Sequence, residues 1–169
     1  SIFFLSLNAW LTLTNGNGKR VVSLKDFFID YKKTDLKPEE YIVSVHFKVP
    51  VDAHFNFEKT SKRTHLDIAS VTSAICLEVQ DNKIVHCGFS AGGVKAVPLY
   101  LQKTSEFLVG KSLDVNALKA ASEVLQSEIS PISDVRGTEQ YKRLLLRQLM
   151  FAHFVALFPD AMDYAALMQ

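Results

Sequence analysis

The sequence predicts an α+β fold: an antiparallel three- to four-stranded sheet covered on one face by three helices, preceded by a β-rich N-terminal segment. Three observations carry this. Strand-like apolar stretches with turn signals between them dominate up to about residue 91. Segments with helical spacing follow, from Pro98 to Leu157. Strands first and helices afterwards, rather than in alternation, put the helices on one face of an antiparallel sheet. A hydrophobic content of 48% over 169 residues supports a packed core of that size.

Taken in order, residues 2–13 (IFFLSLNAWLTL) read as strand, and TNGNGKR as a turn in which Gly16 and Gly18 supply positive φ. VVSL resumes the strand, and Ser23 starts a short helix carrying Phe27 and Phe28. Tyr41–Val49 is a strand entered after Pro38 and two acids and ended by Pro50; residues 51–54 are a linker. The expected division is residues 1–50, residues 55–160, and a tail at 161–169. In the second part, residues 55–62 and the long apolar run from Ile68 to Gln80 are strands. Asp81-Asn82 is a tight turn, residues 83–91 return as the partner strand, and Gly92-Gly93 break it. Pro98 suits the first turn of a helix and Gly110 the position past its end. Asp114 caps a second helix, in which Leu118, Ala121 and Leu125 share a face. PISDVRG is a loop, and a helix from about Thr138 to Leu157 stops before Pro159.

The net charge is +1, with lysines and arginines dispersed, which argues against a nucleic-acid-binding stripe. No apolar run reaches the length of a membrane span, since Leu144–Phe158 contains Arg147, Gln148 and His153. Cys76 and Cys87 fall in adjacent strands and read as reduced core thiols rather than a disulfide. The five histidines have no zinc-ligand spacing; His46 and His86 sit in strand patterns and His153 in an apolar helix half. AGGV at 91–94 lacks both glycine-rich phosphate-loop patterns and reads as a tight turn, and no GxSxG elbow is present.

The stretch FEKTSKRTHLDIAS, Phe57–Ser70, stands apart: Lys59, Lys62, Arg63, His65 and Asp67 crowd the mouth of an apolar strand. Cations in that position suit phosphates or a reduced, anionic flavin ring, while Asp67 at a strand edge needs a partner. That stretch, then GFSAGGVKAVPLYLQKTSEFLVGKSL, then SDVRGTEQYKRLLLRQLMFAHF, resembles in order and spacing the flavoprotein C-terminal domain of molybdenum hydroxylases. The matching positions are Lys59, Arg63 and Asp67-Ile68-Ala69; Gly92-Gly93 with Thr104; and Tyr141, Lys142, Arg143 and Leu145. Residues 8–49 are similar to the end of the preceding FAD-binding domain, so the likeness covers nearly the whole chain.

The small subunit of xanthine dehydrogenases is the nearest pattern. The resemblance implies FAD as cofactor, with the pyrophosphate-binding glycines and an acidic FAD contact falling before the position of Ser1. It places [2Fe–2S] clusters and molybdopterin in the rest of the enzyme. Electrons would pass from molybdenum through the clusters to FAD and on to NAD during purine hydroxylation, in a cytoplasmic enzyme and a homo-oligomer. Its partners would be a molybdenum-binding large subunit and an iron–sulfur domain of the same chain. Ile42 would touch the flavin, Lys59 would lie near the FAD, and Arg63 and Asp67 would shape the segment beside its ring. Tyr141, Lys142 and Arg143 would tie the last helix to the sheet. Leu66 departs from members that carry an acid there. Two alternatives stand beside this reading. One is a sister enzyme acting on carbon monoxide, an aldehyde or an aromatic thioester. The other is a non-catalytic scaffold that dimerises through Phe151, Phe154, Phe158 and the apolar residues 161–169.

Overall fold

The computed structural model describes residues 1–48, 50–63 and 65–168. The chain runs α1 (Ile2–Ser6), β1 (Trp10–Thr14), β2 (Lys19–Ser23), α2 (Leu24–Phe27), β3 (Phe28–Asp30), β4 (Lys33–Thr34) and β5 (Tyr41–His46). It continues with β6 (His54–Thr60), β7 (Val71–Gln80), β8 (Lys83–Gly92) and β9 (Leu99–Tyr100). The helices α3 (Gln102–Leu108), α4 (Val115–Glu128), α5 (Glu139–Leu157) and α6 (Tyr164–Met168) complete it.

The major sheet has the order β6-β7-β8-β9, every pair antiparallel. Val71, Ile75 and Leu77 of β7 join Ile84, Cys87, Phe89 and Ala91 of β8 in one cluster with Leu108, Leu118, Leu125, Leu146, Met150 and Phe154 of the helices. Period-two alternation turns the residues between them to the opposite face. There Ala74 and Phe55 meet Ile2 and Leu5 of α1. The sheet is thus covered twice, by α3–α5 on one face and by α1 on the other.

Residues 2–6 are apolar and strand-prone, yet they form a helix. The outer face of β8 presents Gly88, Ser90 and Gly92, which leave the helix backbone room to lie directly on the sheet. A Cβ on Gly88 would come 2.0 Å from the Ser6 carbonyl oxygen, and Ser90 Oγ donates to the Ile2 carbonyl at 2.7 Å. Tertiary packing overrides local propensity here.

The remaining differences are local. Gly16 has φ +93 as expected, whereas Gly18 keeps a negative φ. Residues 98–101 do not start a helix: Leu99 and Tyr100 pair with Ala91 and Ser90, and α3 begins only at Gln102. Its first turn is capped from afar, the Glu128 carboxylate accepting from the Lys103 and Thr104 amides at 2.8 and 2.7 Å. Gly110 follows α3 with φ +82, Asp114 caps α4 as the sequence indicates, and Thr138 caps α5, which runs to Leu157. β8 runs on through Gly92, and Gly93 makes the break with φ +84, where a Cβ would come 2.3 Å from the Ser70 carbonyl oxygen. β5 ends at His46; Val49 lies outside the described residues.

The interface expected of the C-terminal end is also revised. Phe151 and Phe154 are fully buried, and Met162 and Leu167 pack into the same core. Gln169 lies outside the described residues. Cys76 pairs with Gly88 and Cys87 with Leu77, so the thiols point to opposite faces of the β7–β8 hairpin, and both are free. His153 is fully buried behind β7; its Nε2 meets Ser73 Oγ at 2.8 Å, and Nδ1 has no partner among the described residues.

The N-terminal sheet is smaller, order β2-β1-β5. Its inner face holds Leu11 and Leu13 against α1 and α2. β5 is its edge, and no residue of β5 is buried.

Candidate functional site

Strands β6 and β7 are joined by the basic stretch singled out above. Lys59 pairs with Thr72 on the α1 side of the major sheet. Its ammonium reaches across the loop and donates to the Asp67 carbonyl at 2.8 Å. Asp67 turns its carboxylate inward to accept from the Arg63 backbone N–H at 2.8 Å, and the Arg63 guanidinium closes on it at 3.4 Å. The same guanidinium donates to the Leu66 carbonyl at 3.1 Å. The bond from the Arg63 amide, and then the guanidinium, hold the Asp67 carboxyl below the usual carboxylate range. Leu66 sits in the left-handed region at φ +48 with its side chain 98% exposed. A branched apolar side chain in that conformation is strained and held there by its neighbours.

The loop is docked on a second one, Ser130–Thr138, between α4 and α5. Lys62 Nζ donates to the Val135 carbonyl at 2.8 Å and Ser70 Oγ to the Arg136 carbonyl at 2.9 Å. Between them opens a groove of about 370 Å³ lined by Lys62, Arg63, Asp67, Ile68, Val135 and Arg136. Its character is mixed, with cationic heads beside exposed Leu66, Ile68 and Val135. Such a surface suits a ligand with a flat apolar body and negative charge.

Three of the four expected site residues therefore come together, Arg63 and Asp67 in the loop and Lys59 reaching it from the end of β6. Ile42 does not join them. It lies on β5 beside Leu13 and is 45% exposed at the open edge of the N-terminal sheet. The entry to that strand is fixed by Arg20, which binds Asp35 and donates to Glu40 at 2.8 and 2.7 Å. The Arg20 guanidinium pulls the Glu40 carboxyl down to about 2.

Sequence reasoning missed Val135 and Arg136 as neighbours of the basic loop. The bonds span 66 and 73 residues and end on backbone carbonyls, which leave no signal in the sequence. The tie assigned to Tyr141, Lys142 and Arg143 is also corrected: it runs to the last turn of α4 and the α4–α5 connection, not to the sheet. Lys142 Nζ donates to the Ile132 carbonyl at 2.8 Å, and Arg143 donates to the Gln126 and Ile129 carbonyls at 3.0 and 3.3 Å.

The described residues test unevenly against FAD. The basic-apolar groove and the exposed β5 residues fit a flavin edge. The glycines of the β8 end offer no pyrophosphate cradle: Gly88 and Gly93 are closed by backbone, and Gly92 by side chains of Thr72 and Ile2. A second cavity, about 190 Å³, lies on the α1 side of the major sheet between Trp10, Lys48, Cys76 and His86. Among the described residues no cluster of three or more His, Cys, Asp or Glu could hold a metal ion, and no helix is long and apolar enough to cross a membrane.

Residues 57–157 match the CO dehydrogenase flavoprotein C-terminal domain, and residues 1–51 match the FAD binding domain in molybdopterin dehydrogenase. The carbon monoxide dehydrogenase medium chain of Afipia carboxidovorans is 30% identical over 137 residues, 80% of this chain and 47% of that one. The xanthine dehydrogenase of Oryza sativa is 34% identical over 147 residues, 82% of this chain and 11% of that one. Among solved structures, the reconstituted CO dehydrogenase from Oligotropha carboxidovorans superposes with a TM-score of 0.85 at 25% identity, covering 95% of this chain and 56% of that one. The chain thus spans about half the length of the medium chains and about a tenth of the xanthine dehydrogenases it matches. It belongs to the CO dehydrogenase flavoprotein C-terminal domain family, within the flavoproteins of the molybdenum hydroxylases.

Proposed function

We propose that this chain forms the rim of the flavin site in a xanthine dehydrogenase-type molybdenum hydroxylase. The observation that carries the reading is the docked loop that brings Arg63 and Asp67 to a basic-apolar groove, with Lys59 bound to its far end from β6. FAD, when bound, supplies the redox chemistry. The chain's own residues hold and tune it. Lys59 and Arg63 place positive charge where a reduced ring or a dinucleotide phosphate carries negative charge. Asp67 fixes the Arg63 backbone and head group together. Ile42 offers an apolar contact from β5. No residue of this chain is assigned a proton-transfer or nucleophilic role.

In the complete enzyme of this reading, iron–sulfur clusters and molybdopterin would be held by a partner large subunit and by other parts of the chain, and would supply the electrons that the flavin hands to NAD during purine hydroxylation. The enzyme would be a cytoplasmic homo-oligomer. The division at residues 50–55 separates the end of the FAD-binding domain from the C-terminal domain. A second reading, the flavoprotein of a CO dehydrogenase or another sister enzyme, is favoured by the medium-chain likenesses. The dimerising-scaffold reading loses the buried Phe151 and Phe154 as its carriers.

The test is a calorimetric and fluorescence titration of the chain with FAD. With only a rim present, stoichiometric binding at low micromolar concentration is not expected; observing it would refute the rim assignment. In the assembled enzyme, Arg63→Ala lowers turnover with NAD more than turnover with an artificial one-electron acceptor. Equal losses would place Arg63 away from the flavin.

A further inference from the structure

Lys142 belongs to helix α5, far along the chain from the basic loop, and is 2% exposed. A buried ammonium persists only where it is paired. Its Nζ lies 2.8 Å from the Asp134 carboxylate and 2.8 Å from the Ile132 carbonyl that accepts from it. Asp134 closes a tight turn: its carboxylate accepts from the Arg136 N–H at 2.8 Å, and its backbone exchanges two bonds with Gly137 at 3.0 and 3.1 Å. Gly137 takes φ +158 there, and a Cβ on it would come 2.6 Å from the Tyr141 ring. The turn presents two consecutive carbonyls to the basic loop. Val135 takes Lys62 and Arg136 takes Ser70. Lys62 and Ser70 bracket Arg63 and Asp67 in sequence.

We propose that Lys142 is a positioning residue of the flavin rim, acting through Asp134 and the Val135 and Arg136 carbonyls to clamp both ends of the loop that carries Arg63 and Asp67. The functional part rests on the flavin-rim reading; the clamp rests on the bonds alone. A lysine that merely anchored its own helix would leave the 61–70 loop unaffected when removed.

Hydrogen exchange on the full chain, resolved by mass spectrometry, tests the clamp. Lys142→Met keeps the buried stem and deletes the charge. Exchange across 61–70 quickens by on the order of tenfold, the scale of losing a hydrogen bond to a charged group. Exchange at the distal hairpin turn, 79–84, stays unchanged. Lys142→Arg retains most of the protection. In a Lys62→Met, Ser70→Ala background, adding Lys142→Met has no further effect on 61–70.

Unchanged exchange at 61–70, equal acceleration at 79–84, or additive effects in the combined variant would each overturn the clamp. Should Lys142→Met fail to fold, the Lys62→Met, Ser70→Ala chain decides. Faster exchange in both 61–70 and 130–137 upholds the coupling, and a response confined to 61–70 sinks it. A separate arm addresses the flavin. In the assembled flavoenzyme, Lys142→Met shifts the flavin midpoint potential. A loosened loop with an unmoved potential rejects the loop's assignment to the flavin and leaves the clamp standing.

Discussion

β7 and β5 are both rich in β-branched residues, and they end in opposite states. In β7 every residue from Ser73 to Leu77 is buried; in β5 none is, and Tyr41, Ile42, Val43 and Val45 are exposed. The difference is not composition but cover. β7 lies inside a sheet with a helix layer on each face, whereas β5 is one edge of a three-stranded sheet and none of its residues is buried. The comparison separates what the chain needs to fold from what it holds in reserve. An apolar strand left open at an edge is a surface for association. In the proposed function, flavin and neighbouring polypeptide cover it.

Substitutions at the two ends of this contrast differ most. Phe154→Ala removes a fully buried ring from the helix–sheet core and costs about 3–5 kcal/mol in denaturant unfolding. A loss below about 1 kcal/mol would mean that the core is not continuous across the sheet. Next comes pH. His153 is held neutral, burial lowering its pKa from 6.5 to about 4. The unfolded chain takes up a proton as pH falls below 6.5 and the folded chain does not until about 4. Stability present above 6.5 is therefore lost across that window, by up to about 3 kcal/mol. Chemical denaturation at pH 7 and pH 4.5 measures it, and the slope flattens in His153→Leu if this imidazole is its source.

Gly88→Ala sets a methyl against the Ser6 carbonyl and lifts α1 from the sheet, costing about 1–3 kcal/mol. Exchange should quicken in residues 2–9 before the β7–β8 amides respond; uniform acceleration would show that α1 is not a separable cover. The smallest effect belongs to the open strand. Ile42→Ala changes the stability of the chain by within about 0.5 kcal/mol. A large loss there would mean that β5 is already covered in solution.

These contrasts mark how far the sequence could be read. The β7–β8 hairpin, the capped helices α4 and α5 and the stop after α3 all rest on local rules: alternation, a polar cap, a glycine in the left-handed region. Each is visible within ten residues. Helix α1 was hidden because its cause lies more than eighty residues away, in the small residues of β8. β9 was hidden for a similar reason, since two residues pair with a strand end that a glycine pair had marked as finished. The site was legible in part. Local charge density picked out Lys59, Arg63 and Asp67. It could not reveal that the partner carbonyls belong to Val135 and Arg136, because backbone acceptors carry no sequence signature. Ile42 came only from resemblance; its own surroundings mark an open edge and name no ligand.

The opposed thiols of the hairpin have a practical consequence. Cys87 faces the helix layer and Cys76 the opposite side, beneath the cavity beside Leu7 and Trp10, and burial pushes both thiols up, which slows their reaction in the folded chain. Oxidants cannot join them across one sheet without breaking the pleat. Each sulfur is therefore an independent clock. Under partial denaturation, the order in which an alkylating reagent reaches the two positions records which cover peels away first, with no label added to the chain.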